Sequence, residues 1–201
     1  IAGAIGSLSI TNSGALDIQS GDVSLTGSFI QQGGGFVTLG SSITSGASIS
    51  FVNAISLTND LSLYGAGGIT LSSTVDGGQS LILDGQTEDV ILQNSLGHTT
   101  PLTALNINGS GNRVFIASEV QVAGPINIYL PEAMVFTGNV SFINPSTNDL
   151  MNLTTNRVNG QGRGAQTLTI QAGAESTVDL GPSGFQTALG EVQVTCGTFR
   201  V

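Results

Sequence analysis

The stretch Ile49-Ser50-Phe51, Ile55-Ser56-Leu57, Leu61-Ser62-Leu63, Ile69-Thr70-Leu71, Val75, Leu81-Ile82-Leu83 decides the fold. Apolar-x-apolar triplets recur, separated by Gly, Asn, Asp and Ser. Three start at 49, 55 and 61 and the next three at 69, 75 and 81, so the set repeats after 20 residues. Alternation within a triplet marks a strand with one buried face. Three very short strands per 20 residues, repeated, mark a solenoid with three sides to each coil. An amphipathic helix would need a period of about 3.6 residues over several turns. No stretch sustains it, and Gly and Pro interrupt too often.

Outward from this core the pattern continues both ways. Towards the start lie Leu8-Ser-Ile10, Leu16-Asp-Ile18, Val23-Ser-Leu25, Val37-Thr-Leu39 and Ile43, with looser spacing. Towards the end, one side carries 90, 114 and 134, the second 96, 120 and 140, and the third 105 and 126. The longer rung between 90 and 114 places its extra residues in 97–101 and 109–112, as loops projecting from corners. Residues 145–166 read as a polar, loop-rich insertion in which Leu150, Leu153 and Val158 keep contact with the core. The triplets return at Leu168-Thr-Ile170, Val178-Asp-Leu180, Val192-Gln-Val194 and Phe199-Arg-Val201. The whole of 1–201 is expected to form a single all-β solenoid. Roughly nine rungs about 4.8 Å apart give a rod of about 43 Å. Like residues should stack in columns, with Leu71, Leu92, Ile116 and Phe136 in one and Leu57, Leu63 and Leu83 also inside. No cap is legible at Ile1 or Val201, so the chain reads as a segment of a longer repetitive protein whose ends continue into further rungs, of the same chain or of neighbouring subunits. Taken alone, it should fray or aggregate.

Composition narrows the function. Only 8% of residues are charged, so neutral polar residues must fill most outward positions. Lysine is absent, and the cations are Arg113, Arg157, Arg163 and Arg200. A net charge of -9 argues against nucleic acid, which demands clustered cations. Cys196 is the single cysteine, so no internal disulfide forms. No apolar run is long enough for a transmembrane helix.

The segment Leu81-Ile-Leu83-Asp-Gly-Gln-Thr-Glu-Asp-Val90-Ile-Leu92-Gln-Asn-Ser-Leu96-Gly97-His-Thr-Thr-Pro101-Leu102-Thr-Ala-Leu105-Asn-Ile107 resembles repeats of large secreted bacterial adhesins of the filamentous haemagglutinin and autotransporter kind. In those repeats an apolar triplet, a Gly/Asp turn and a second triplet precede a Gly, then Pro-Leu and another triplet. Residues 69–128 follow the style well, residues 1–63 more loosely, and the tail after Pro145 departs from it. The resemblance implies a right-handed parallel β-helix, exported by type V secretion to the bacterial cell surface or medium, and acting as an adhesive or spacer rod or filament. It carries no catalytic motif.

A search for chemistry agrees. His98 sits in a polar turn, and Cys196 reads as a small buried or turn residue; nucleophilic catalysis would need the two to be neighbours. They are too few for a zinc site. Asp84, Glu88 and Asp89 cluster, but in a turn where acidic residues are ordinary turn formers. A glycosidase would need two carboxylates flanking one bond. The expectation is no enzyme, no cofactor and no metal. Asn108-Gly-Ser, Asn139-Val-Ser and Asn152-Leu-Thr match the glycosylation triplet, for which chance suffices in a chain this rich in Asn, Ser and Thr.

The outward residues say more. Middle positions of triplets point to solvent, and most are polar. The exceptions are Ile82 on the third side and Ile91, Phe115 and Val135 on the first. The last three should form one apolar column and a candidate interface, covered either by the 145–166 segment or by another chain. Arg157 and Arg163 mark a weaker candidate surface loop. Expected partners are a host or neighbouring-cell surface, or adjacent solenoid subunits. The runner-up is a carbohydrate- or protein-binding solenoid module, and third comes a polysaccharide-processing β-helix enzyme.

Overall fold

The computed structural model describes residues 5–110, 112–129, 132–180 and 187–201. These are all-β and contain no helix. The strands stack in parallel on three faces. The first face holds β1 (Leu8–Asn12), β4 (Phe29–Gly33), β7 (Ile49–Phe51), β10 (Ile69–Leu71), β13 (Val90–Leu92), β15 (Arg113–Ile116), β18 (Ala133–Phe136) and β21 (Val158–Gly160). The second holds β2 (Leu16–Ile18), β5 (Val37–Leu39), β8 (Ile55–Leu57) and β11 (Val75–Asp76), then β16 (Val120–Gln121), β19 (Val140–Asn144), β22 (Thr167–Ala172) and β24 (Glu191–Thr195). Leu96 bridges β11 to β16 and joins these two sheets. The third face holds β3 (Val23–Leu25), β6 (Ile43–Ser45), β9 (Leu61–Gly65), β12 (Ser80–Asp84), β14 (Ala104–Asn108), β17 (Ile126–Tyr129), β20 (Leu150–Asn152), β23 (Thr177–Asp179) and β25 (Thr198–Arg200).

Such short strands cannot bury a face alone; stacking supplies both the hydrogen bonds and the core. On the first face Phe51, Leu71, Leu92, Ile116 and Phe136 pair rung by rung, and all are buried. Leu57, Leu63 and Leu83 are inside as well. Each such side chain contributes roughly 1.5–3 kcal/mol by leaving water. Phe29 and Phe51 add a tilted ring contact, with centroids 5.1 Å apart. Two inward polar residues, Gln31 and Ser45, have their hydrogen bonds met, whereas the buried Asn112 side-chain amide has no hydrogen-bond partner among the described residues. Gln31 donates to Asn12 Oδ1 at 2.7 Å and accepts from Val52 and Asn53 N–H, closing a corner. Ser45 donates to Gly27 O at 2.6 Å.

Side-chain acceptors staple the corners. Asp22 accepts Ser42 N–H, Asp60 accepts Ser80 N–H, Asp89 accepts Arg113 N–H and Asn139 accepts Thr167 N–H, each from the following rung. These donors open a strand or stand just before one, where a backbone N–H needs such a partner. Three of the thirteen acidic residues, Asp22, Asp60 and Asp89, thus act as corner acceptors.

Three sequence expectations are corrected. On the second face Val120 pairs with Phe142 and not with Val140. Residues 97–101 leave from the middle of the second face, between Leu96 and Leu102, and not from a corner; Leu102 bridges Val122 one rung on. In 145–166 Met151, Leu153 and Val158 are inward, whereas Leu150 is 45% exposed. Leu150 and Leu153 are three apart, and a strand with period two cannot turn both inward.

Candidate functional site

The apolar column forms as its spacing suggests. Ile91 pairs with Phe115 and Phe115 with Val135, between Thr70 on one side and Asn159 on the other. All three side chains point outward and are half-buried. Segment 145–166 does not lie over them. Its strands β20 and β21 extend the third and first faces, so it lengthens the stack.

Arg113, which the triplet pattern passed over, completes the surface. It lies two positions before Phe115 on the same outward side. Its guanidinium carbon sits 5.0 Å from the Phe115 ring centroid, within cation–π range. Two hydrogen bonds, Nη2 to Asp89 Oδ2 at 2.8 Å and Nε to Asp89 Oδ1 at 3.2 Å, fix the group. The bonded Asp89 carboxylate also raises the Arg113 pKa. An outward residue at i−2 of an apolar outward residue was the available signal. Arg157 and Arg163 are exposed; Arg157 lies two positions before Asn159, one rung beyond Val135, and its carbonyl accepts Met134 N–H.

The remaining candidates are structural in their contacts. His98 Nδ1 lies 2.8 Å from Glu119 Oε1, and that hydrogen bond raises the His98 pKa. Asp76 accepts Thr99 N–H at 2.8 Å, so carboxylates from both neighbouring rungs hold the 97–101 excursion. Cys196 donates to Thr198 O, about four rungs or ~19 Å along the axis from His98. The two do not meet. Asp84 accepts from Gln86 and Asp89 from Arg113. Among the described residues no group of three or more His, Cys, Asp or Glu gathers as metal ligands. No helix among them is long and apolar enough to cross a membrane. Of the glycosylation triplets, Asn139 is exposed, whereas Asn108 and Asn152 are half-buried within strands.

Comparison with protein families, curated proteins and solved structures returns no match for this chain.

Proposed function

We propose that the chain is a rod segment of an exported bacterial surface protein, a spacer and adhesive surface whose first face makes lateral contact with a neighbouring solenoid. The column Ile91, Phe115 and Val135 carries this reading. It runs along the rod axis for about 10 Å, so two rods lying side by side can bury it along its length. Contiguous apolar area on an outward face marks contact surfaces. The Arg113–Asp89 pair beside it supplies a polar rim of the sort that borders such patches. The scarcity of charge, the absence of lysine and the adhesin-like repeat style support the surface location. The reading assigns no reaction and no cofactor to the chain.

Replacing Ile91 and Phe115 together by Ser tests it by analytical ultracentrifugation. The parent is expected to self-associate and the double variant to sediment as a monomer. Its melting temperature should stay within about 2 °C, as for other surface substitutions. Unchanged association in the variant overturns the lateral-contact reading. A monomeric parent does so too.

A further inference from the structure

We infer that the third face carries a second binding surface, for a linear neutral glycan, built from Tyr64, Asn106, Asn127 and Tyr129. It stands apart from the first-face contact and does not depend on it. Here β9, β12, β14 and β17 are adjacent strands of four or five residues. They display two outward columns. One runs Ser62, Ile82, Asn106, Asn127, Asn152, and the other Tyr64, Asp84, Asn108, Tyr129. The columns are about 7 Å apart, and three rungs separate the tyrosines by about 14 Å. Tyr129 is 64% exposed and Ile82 38%.

The chemistry on this surface is specific. Asn127 Nδ2 donates to Asn106 Oδ1 at 3.1 Å, which orients both amides. That bond leaves Asn106 Nδ2 and Asn127 Oδ1 with donor and acceptor capacity to spare, on the side away from their contact. A sugar hydroxyl both donates and accepts, so an amide array matches it group for group. A pyranose ring also has an apolar face, and a tyrosine offers a flat ring with a polar tip. Two tyrosines on one column, with amides between and beside them, therefore suit an extended sugar chain lying along the rod.

Charge selects among sugars. The four strands carry no cation, and Asp84 is the single charge on them, its Oδ1 already accepting from Gln86. An acidic polysaccharide or a nucleic acid finds no counter-charge here. An extended peptide docks by adding to a sheet edge, and these strands are paired on both sides.

Tyr64 and Tyr129 are the only tyrosines, and the chain has no Trp, so tyrosine emission reports this face alone. Titration with cellohexaose, maltohexaose, xylohexaose and, as the acidic counterpart, hexagalacturonate is the test. At least one neutral oligosaccharide should change the emission saturably, and the acidic one should not. By calorimetry, Tyr129→Ala and Asn127→Ala should each weaken that binding at least tenfold with the thermal melt unchanged. The Ile91→Ser/Phe115→Ser variant should bind as the parent does, which separates this site from the first-face contact. Silence with all three neutral probes overturns the inference. So does preference for the acidic one, or affinity untouched by both third-face substitutions.

Discussion

Leu92 sits at the middle of the first-face column, between Leu71 and Ile116, with 1% of its surface exposed. Its column neighbours Leu71 and Ile116 offer a carboxylate neither a cation nor a side-chain donor. Leu92→Asp should therefore lose more than about 4 kcal/mol, read as a large drop in the denaturation midpoint. His98 is the opposite case, exposed and paired only with Glu119. Its pKa is raised in the folded chain, so the pair's contribution is complete below the ordinary imidazole value of about 6.5 and is lost as pH rises through the raised value. As the sole histidine it gives one imidazole signal by NMR. That signal should titrate above the ordinary value in the parent and fall back towards it in Glu119→Gln. At this scale the alternation of side chains was enough to place Leu57, Leu63, Leu83 and Leu92 inside. It could not place Arg113, whose role comes from Phe115 beside it and Asp89 one rung away, two positions far apart in sequence.

Elements show where period two stops being informative. A slip of one residue turns every side chain over, but a slip of two leaves inward residues inward. Val140, Phe142 and Asn144 are all inward on β19, so alternation allows Val120 to meet Val140 or Phe142 equally well. The register pairs Val120 with Phe142, whose ring lies 6.5 Å from that of Phe136. Corner chemistry was also hidden, because its partners are about 20 residues apart. Asp60 accepts Ser80 N–H at 2.7 Å, so Asp60→Ala should cost about 1 kcal/mol and Asp60→Asn much less, measured by chemical denaturation. Gly97 opens the second-face excursion in the left-handed region, with φ of 68°. An added Cβ would overlap the Gln121 carbonyl oxygen of the next rung. Gly97→Ala should therefore destabilise by at least about 2 kcal/mol.

For the whole molecule, each rung contacts its neighbours and little else, so stability is a sum of local stacking terms. Inward residues of the first and last described rungs illustrate the consequence. Leu8, Ile10, Leu16 and Ile18 are only partly covered, and Val192 and Phe199 are each 42% exposed, whereas the central columns are closed. The rod matters to function because it keeps every outward column straight. Ile91, Phe115 and Val135 make one surface, and Tyr64 to Tyr129 another, only if each rung adds one constant step. The outward column Ser9, Ile30, Ser50, Thr70, Ile91, Phe115, Val135, Asn159 measures that step directly. With Cys196 replaced by Ser, spin labels on cysteines at Ser9 and at Ile91, Val135 or Asn159 report distances by pulsed electron resonance. The three pairs span four, six and seven rungs, so separations near ~19, ~29 and ~34 Å are expected, rising in proportion to rung number. Distances that fail to grow along this series, or a Ser9–Asn159 pair as close as Ser9–Ile91, would contradict the stacked rod.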